Sequence, residues 1–441
     1  MDLKKMTKGD FLKMKTLRLG SRGPQVQLLQ LALSRAGFAA GGTDGRFGRR
    51  TQDALRRFQL SRRLTPDGAA GPRTHAALEP YYTGFLRKRL AGDDTFFRLA
   101  RRYGTSVRAI AAANPTLSAE RLTPGDEVAV PLGFPVVPTG IAWCSALTEF
   151  CCRGLAARYP FLRASEIGRS ELDCPIWLLR LGSGEGRAFY NASHHANEWI
   201  TTPLLLRFAE ELAETAVRGG ALGGQDAAAL LGAAELAIAP CVDPDGVDLV
   251  TGDLADGPVF EAARAIAAGY PDIPFPSGWK ANILGVDLNL QYPAGWERAR
   301  EIKFAQGFSG PAPRDYVGPA PLAAPESRAV ADFTRAFDPL LTLSYHTQGK
   351  VIFWKYLDIE PAGARALAER LAAVSGYAVE DTPYASGFAG YKDWFLQDFD
   401  RPGFTIEAGL GVNPLPISDF AALYAQNLGI LTTALAAAGG E

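Results

Sequence analysis

Short apolar runs alternate with amphipathic segments along the second half of the chain, and this alternation limits the possible folds more than any other feature. The apolar runs with the length of buried strands are residues 188–192, 234–239, 340–345 and 403–406. Residues 201–218 and 326–337 have the apolar spacing of helices. Such alternation predicts an α/β domain whose mixed, largely parallel sheet is flanked by helices. Functional groups are then expected beyond the carboxyl ends of its strands.

The composition excludes several classes of partner. The chain has 441 residues, which is longer than one ordinary domain. Its 47% hydrophobic and 21% charged residues are typical of globular proteins, and no apolar stretch long enough to span a membrane is expected. A net charge of −1 offers no basic surface to nucleic acid or to an anionic membrane. We therefore expect neither as a partner, and the oligomeric state stays open.

The cysteines and the first residues bear on the compartment. Residues 1–15 carry lysines throughout and lack the apolar run of a secretory signal. The 5 cysteines form an odd set without a C-x-x-C pair, which favours reduced thiols. We expect a cytoplasmic protein, with a spore-forming compartment or the wall after release as other places to meet a substrate.

An eight-residue pattern occurs twice near the N-terminus. Asp44-Gly-Arg-Phe-Gly-Arg-Arg-Thr returns as Asp67-Gly-Ala-Ala-Gly-Pro-Arg-Thr, and each copy predicts a turn followed by a helix capped by its threonine. Together with the preceding helical run, residues 16–80 resemble the peptidoglycan-binding domain found beside many wall hydrolases. The resemblance implies peptidoglycan as a partner; a helical bundle without a ligand is the alternative.

Residues 81–135 follow the order strand, helix, helix, strand. Gly104 and Asn114-Pro115 end the two helices, and the β-branched run before Pro131 predicts the closing strand. This order resembles a LysM module, a family that binds glycans containing N-acetylglucosamine in a shallow groove. A linker with Pro135, Pro138 and Gly140 follows. The predicted domains are a tail (1–15), a small helical peptidoglycan-binding domain (16–80), a βααβ LysM module (81–135) and a catalytic domain (136–441).

Histidines at the predicted strand ends indicate a metal site. His195 and Glu198 are one helical turn apart after the first buried strand, and His346 ends another. Two histidines, a carboxylate and an open position make an established catalytic zinc site. From spacing alone His194 competes with His195, and an H-x-x-E pattern is by itself a weak signal.

Further segments in the same order resemble the zinc carboxypeptidase family from about residue 138 to 437. The matching segments are residues 158–161, 167–170, 195–199, 244–246, 285–289, 384–387, 393–394 and 404–407. The resemblance implies one zinc per chain, held by His195, Glu198 and His346. It also implies that Glu407 moves the proton from water to the leaving amine and that Asp287 holds the ring of His195.

The same resemblance assigns residues around the substrate. Tyr384 would cover the bound substrate, with Tyr391 as an alternative because the alignment is uncertain by one residue. Asn289 matches a substrate-binding asparagine. The arginine that follows it in the family's carboxypeptidases, and that grips a terminal carboxylate, is Leu290 here. Leucine cannot supply that bidentate contact, which places ordinary exopeptidase action in doubt.

Two lysines occupy positions that matter for specificity. Lys280 aligns with the family's arginine that assists the oxyanion, so the charge is kept and the planar fork is lost. Lys392 falls where carboxypeptidases choose their leaving residue, and it predicts a cationic pocket for an acidic leaving group. A solvated loop lysine is the other interpretation of Lys392.

The run from Trp279 to Pro293 resembles the subgroup of γ-D-glutamyl-L-diamino acid endopeptidases. We therefore expect a zinc peptidoglycan hydrolase that cuts between D-glutamate and meso-diaminopimelate, or lysine, in stem peptides. The alternatives are a broad metallocarboxypeptidase acting on ordinary peptides and a wall-binding protein with an inactive peptidase domain.

Overall fold

The computed structural model describes residues 14–441, which form two compact units. The first unit ends at Ala164 and the second comprises Ser165–Glu441. Most of the tail predicted at residues 1–15 lies outside the described residues. The domain boundaries drawn from the sequence stay predictions.

The first unit begins with a three-helix module in which buried glutamines hold both copies of the repeat. Its helices are α1 (Pro24–Arg35), α2 (Arg49–Ser61) and α3 (Pro72–Thr83). Gln30 donates to Asp44 Oδ1 at 2.8 Å and to Thr51 Oγ1 at 3.1 Å. Gln59 repeats both contacts one copy later, with Asp67 and Thr74. The predicted threonine caps are wrong: glycines occupy the N-cap positions of α2 and α3, and the threonine hydroxyls face the glutamines.

The next module has the predicted βααβ order. It comprises β1 (Phe85–Arg89), α4 (Phe96–Tyr103), α5 (Val107–Ala113) and β2 (Glu127–Pro131), with β1 antiparallel to β2. Thr95 and Ser106 cap the two helices by accepting from backbone N–H groups three residues on. Gly104 ends α4 in the left-handed region.

A sixth helix, α6 (Ser145–Arg158), belongs to the first unit. The buried guanidinium of Arg158 donates to the backbone carbonyls of Gly84, Leu132 and Phe134 at 2.6 to 2.8 Å. Gly84 lies between the first two modules, and the other two carbonyls follow β2. One buried cation thus joins the ends of the βααβ module to α6.

The second unit consists of strands and helices in alternation. Its strands are β3 (Arg163–Arg169), whose first two residues precede the boundary, β4 (Pro175–Leu181), β5 (Gly186–Ala192), β6 (Ala221–Leu222), β7 (Gln225–Asp226), β8 (Ala234–Ala239), β9 (Leu341–His346), β10 (Val351–Phe353), β11 (Ala378–Glu380) and β12 (Gly403–Glu407). Its helices are α7 (Thr201–Arg218), α8 (Ala227–Ala233), α9 (Pro244–Thr251), α10 (Gly257–Ala267), α11 (Trp296–Ala305), α12 (Pro325–Phe337), α13 (Ala364–Ser375), α14 (Tyr391–Phe399) and α15 (Phe420–Ala438). The predicted strands and helices are confirmed to within two residues.

One eight-stranded sheet positions the site. Its order is β11-β10-β12-β9-β5-β8-β4-β3. The central strands β12, β9, β5 and β8 are parallel, whereas β10 and β4 pair antiparallel with β12 and β8. The mixed, largely parallel sheet is therefore confirmed. Glu407 pairs with His346 in the register of β12 and β9, so both lie at the carboxyl edge beside the residues that follow β5.

The C-terminal helix corrects one expectation. Ile417–Ala438 is long and apolar enough to cross a membrane, with a window of mean hydropathy 1.3, half of which is buried inside the structure. The expectation that no stretch approaches a membrane span is thus wrong by length and composition. The helix packs on α13 and on β5, where Tyr190 donates to the carbonyl of Leu431 at 2.8 Å. This packing accounts for the apolar residues on the buried part of the helix.

Candidate metal centre and active-site cavity

Three buried side chains converge at the carboxyl edge of the sheet. His195 and Glu198 come from the turn after β5, and His346 is the last residue of β9. His195 Nδ1 lies 3.0 Å from Glu198 Oε1, and His346 Nδ1 lies 2.9 Å from Glu198 Oε2. The two Nδ1 atoms are 3.1 Å apart. Among the described residues, this is the group of histidine, cysteine and acidic side chains that could hold a metal ion.

The surroundings of the two rings make this donor set suitable for zinc. Asp287 Oδ1 lies 3.1 Å from Nε2 of His195, so its carboxylate favours hydrogen on that nitrogen and leaves the Nδ1 lone pair facing the centre. Tetrahedral zinc with bonds of about 2.0–2.1 Å places its ligand atoms about 3.4 Å apart, close to the separation observed here. Two imidazoles and one carboxylate are the ligand types that catalytic zinc prefers.

His194 is directed away from this centre. Its side chain is fully buried, and its Nε2 lies 2.8 Å from the hydroxyl of Tyr292. Burial holds the pKa of His194 well below its usual value, so the ring is neutral. Of the two adjacent histidines between which the spacing could not decide, His195 is the one that the structure brings to Glu198 and His346.

Lys280 makes an ion pair with a proposed ligand. Its Nζ lies 3.0 Å from Glu198 Oε1. Burial opposes the charge on Lys280, but the carboxylates of Glu198, Asp287 and Glu407 together outweigh it and raise the pKa of Lys280. The lysine is therefore a fixed positive charge beside the metal centre.

Glu407 is the acid at the end of β12, and its side chain lines the cavity. Burial and then the negative charge of Glu198 raise the pKa of Glu407 to about 7, against opposing effects of Lys280 and His195. A carboxyl group with a pKa near neutrality can both accept and return a proton at physiological pH.

These groups face a cavity of about 690 Å³. Besides His195, His346, Lys280 and Glu407, its wall includes the predicted residues Asp287, Asn289 and Lys392. A cavity of this size can hold a ligand as large as a short peptide. The structure thus brings together most of the residues that the sequence singled out.

Asn289 and Leu290 differ in what they offer this cavity. The side-chain oxygen of Asn289 accepts from the N–H of Tyr391 at 3.0 Å, which fixes the amide and leaves its NH₂ group for other partners. Leu290 is 8% exposed and packs into an apolar cluster with Tyr391 and Trp394. No guanidinium stands at this position.

Lys392 is held in the cavity wall. It is 4% exposed, so the interpretation as a solvated loop lysine is wrong. Its Nζ donates to the carbonyl of Lys355 at 2.5 Å and lies 2.6 Å from Asp393 Oδ1. Asp393 therefore balances much of its charge.

The structure does not bring the two candidate tyrosines to the metal centre. Tyr384 is 60% exposed, and its hydroxyl accepts from Nε of Arg298 at 3.2 Å. Its neighbours Pro383 and Ser386 line the cavity, whereas Tyr384 does not. Tyr391 is fully buried, with its hydroxyl 3.1 Å from Thr334 Oγ1. Tyr391 is thus a core residue.

The sequence interpretation missed Arg314, Asp315 and Lys303, which also line the cavity. Asp315 lies 2.6 Å from both cations, through Oδ1 to Lys303 Nζ and through Oδ2 to Arg314 Nε. Its N–H donates to Asp287 Oδ2 at 3.1 Å. Local sequence gave no signal for this cluster, because it depends on the loop after α11 returning to the metal centre.

Comparison with known families agrees with this geometry. The family model of zinc carboxypeptidases matches residues 148–409. The chain belongs to the zinc carboxypeptidase family. As a member it is a zinc metallopeptidase, and models of a peptidoglycan-binding domain and of a LysM domain match residues 22–78 and 92–131 of the same chain.

Two curated relatives share much of this metallopeptidase. The chain is 44% identical over 289 residues to γ-D-glutamyl-L-diamino acid endopeptidase 1 of Lysinibacillus sphaericus, covering 64% of this chain and 69% of that protein. It is 36% identical over 280 residues to the protein YqgT of Bacillus subtilis (strain 168), covering 63% and 73%.

Solved structures show the same fold at low identity. A crystal structure of thrombin-activatable fibrinolysis inhibitor has a TM-score of 0.52 at 17% identity and covers 81% of this chain and 98% of its own. The carboxypeptidase A of Helicoverpa armigera has a TM-score of 0.51 at 18% identity, covering 76% and 79%. At these identities the comparison concerns fold alone.

Proposed function

We propose that this metallopeptidase hydrolyses the γ-D-glutamyl bond to meso-diaminopimelate, or to lysine, in peptidoglycan stem peptides. The observation that carries the proposal is Leu290, which is packed into the core where a carboxypeptidase would need a guanidinium for the substrate's terminal carboxylate. The 44% identity to an endopeptidase of this name supports it. The two N-terminal modules support a substrate that is part of the wall.

We assign the metal to His195, Glu198 and His346. Bound there, a zinc ion supplies a Lewis acid for the scissile carbonyl and lowers the pKa of water. Asp287 fixes the His195 ring through Nε2, and Lys280 balances the charge of Glu198.

Glu407 moves the proton in this mechanism. Its carboxylate takes a proton from the attacking water and delivers it to the nitrogen of the leaving diamino acid, so that a carboxylate and a free amine result. The raised pKa of Glu407 suits both halves of this transfer. Asn289 and Lys392 line the cavity, and the family resemblance assigns them to the leaving residue; Lys392 would then offer a cation to the additional carboxylate of diaminopimelate.

Digestion of defined stem peptides tests the proposal. The tripeptide L-alanyl-γ-D-glutamyl-meso-diaminopimelate should yield L-alanyl-D-glutamate and free diaminopimelate, identified by mass spectrometry. The same digestion of ordinary peptides should release C-terminal residues far more slowly. Faster release from ordinary peptides would establish the broad carboxypeptidase instead, a reading that the retained Asn289 favours.

The predicted role of Tyr384 in covering the substrate needs a change of conformation. It lies next to cavity residues but outside the wall, so any covering role requires the segment of residues 382–387 to move inward when substrate binds. The cytoplasmic location expected from the sequence stays a prediction.

A further inference from the structure

Arg314 is a positively charged residue of the cavity wall that has no role in the proposed function. Among the described residues that line the cavity, it is the single arginine. It is 45% exposed and lies on the loop between α11 and α12. A guanidinium that faces a substrate cavity is suited to bind a carboxylate through two parallel hydrogen bonds.

The loop holds this guanidinium by one side only. Nε of Arg314 lies 2.6 Å from Asp315 Oδ2, while Lys303 occupies the other oxygen of the same carboxylate. This contact uses Nε and leaves the terminal nitrogens for another acceptor. The Asp315 N–H in turn donates to Asp287, the carboxylate beside His195. Arg314 is thus anchored to the support of the metal centre.

Arg314 also lies beside a second cation. The backbone N–H groups of Lys280 and Ala281 donate to the carbonyl of Pro313 at 2.7 and 2.9 Å, which brings the Arg314 loop against Lys280. The two positive charges oppose each other. Glu198 and Asp315 each balance one of them, and an anion bound between them would gain from both.

Lys392 and Arg314, two positively charged residues of the cavity, are held by different parts of the structure. Lys392 is carried by α14, whose first N–H is bound by Asn289, and both belong to the side proposed for the leaving diamino acid. Arg314 is tied instead to Lys280 and Asp287. Because Arg314 is not attached to the support of Lys392, it is the candidate for contact with the residue on the acyl side of the scissile bond.

The acyl residue of a γ-linked substrate carries a backbone carboxylate that an α-linked residue lacks. A D-glutamate joined through its side-chain carboxyl keeps its α-carboxylate free, close to the scissile carbonyl. In an ordinary α-linked peptide the acyl residue has no free carboxylate on its backbone. A guanidinium on the acyl side would therefore distinguish the two linkages.

We propose that Arg314 binds the free α-carboxylate of the D-glutamyl residue and thereby selects the γ-linked bond. The inference rests on the proposed function and adds the residue that recognises its acyl group. Amidation of that carboxylate, which gives D-isoglutamine, would remove the charge while leaving the scissile bond unchanged.

The test compares two tripeptides that differ only in this group, one with D-glutamate and one with D-isoglutamine. kcat/KM is measured for the unchanged full chain, for Arg314→Ala and for Arg314→Lys. Arg169→Ala is the matched control, because Arg169 is 47% exposed, pairs with Glu166 at 2.9 Å and lies outside the cavity wall. Zinc content and circular dichroism of every variant are recorded.

The unchanged enzyme should prefer the D-glutamate substrate by about 10- to 100-fold, the usual worth of a charge-assisted hydrogen bond. Arg314→Ala should lose that preference by slowing the D-glutamate substrate alone. Arg314→Lys should keep part of it, because the charge remains and the fork is lost. The Arg169 variant should behave as the unchanged enzyme.

Other outcomes separate two kinds of failure. An equal loss on both substrates, or no loss on either, would overturn the role of Arg314 while leaving the proposed function intact. If the unchanged enzyme released diaminopimelate from neither tripeptide, the proposed function would fall and the inference with it.

Discussion

At the scale of residues, the site depends on how burial changes the chemistry of a few ionisable groups. Glu407 and Lys280 lie in the same cavity, yet burial and charge affect them differently. The pKa of Glu407 is raised to about 7, which makes this carboxyl exchangeable near neutrality. Lys280 stays charged because Glu198, 3.0 Å away, together with Asp287 and Glu407 outweighs the effect of burial. Glu407 is therefore suited to proton transfer, whereas Lys280 supplies a permanent positive charge.

Glu407→Gln should keep zinc and lose about 10²–10⁴-fold or more in kcat, because it removes the proposed base without changing a metal ligand. Steady-state kinetics on the D-glutamate tripeptide, together with metal analysis, would measure both. Turnover within a few-fold of the parent would show that another base operates.

The pH profile should report the same group. Glu407 is active as a base when ionised, so kcat/KM should fall as the pH falls through its pKa. A bound zinc ion would add a positive charge that favours the carboxylate, so the midpoint should lie below the value of about 7 that burial and Glu198 produce. A kcat/KM profile that stays flat from about pH 4 to 8 would exclude Glu407 as this base.

The two adjacent histidines should respond differently to substitution. His195→Ala should abolish stoichiometric zinc binding because it removes a proposed ligand, whereas His194→Asn should retain zinc despite some loss of stability. Metal content of the purified variants by mass spectrometry is the measurement, and circular dichroism checks folding. Zinc retained by the first variant and lost by the second would reverse the assignment.

At the scale of elements, the first unit depends on a helix that lies beyond the two wall-binding modules in sequence. α6 contributes Arg158, which donates to three backbone carbonyls, and Phe150, whose ring stacks on Tyr82 at 4.7 Å between centroids. Buried carbonyls without a donor are costly. Residues 145–158 therefore help to stabilise the modules that precede them.

Arg158→Met should destabilise the first unit by about 3 kcal/mol or more, since it leaves backbone carbonyls unpaired in a buried place. Scanning calorimetry should show the transition of this unit at a lower temperature, with the transition of the catalytic unit unchanged. Arg153→Met is a matched control on the same helix, because Arg153 binds side-chain carboxylates of Glu79 and Glu149. Equal effects of both substitutions would argue against a special role for the buried carbonyls.

At the scale of the whole molecule, the chain combines a catalytic unit with two modules of wall-binding families. Tethered weak binding sites raise the local concentration of a substrate without contacting the scissile bond. The modules should therefore matter for insoluble wall and not for short peptides.

Soluble oligosaccharides of N-acetylglucosamine should slow the digestion of intact peptidoglycan by the full chain, because they compete for the LysM module. Hydrolysis of the tripeptide at the same oligosaccharide concentration should be unchanged. Release of amino groups from wall and tripeptide in parallel assays measures both rates. Equal inhibition of the two reactions would place the oligosaccharide in the catalytic cavity.

The sequence by itself determined the α/β alternation, the module order and the residue types of the metal site. Apolar periodicity fixes which segments become strands and helices, since each element must bury one face. The carboxyl ends of parallel strands then collect the residues that follow them. This is why the sequence predicts His195 and His346 near one another, whereas the role of Glu407 was implied by the family resemblance.

Only the tertiary structure decided which neighbours those residues have. The choice between His194 and His195 depends on the directions in which consecutive side chains leave the backbone after β5, which the H-x-x-E spacing leaves open. The pairing of Lys280 with Glu198, and the return of Arg314 to the cavity, depend on loops without periodicity. Such contacts join residues far apart in sequence, and the physical reason they escape prediction is that local patterns constrain local geometry alone.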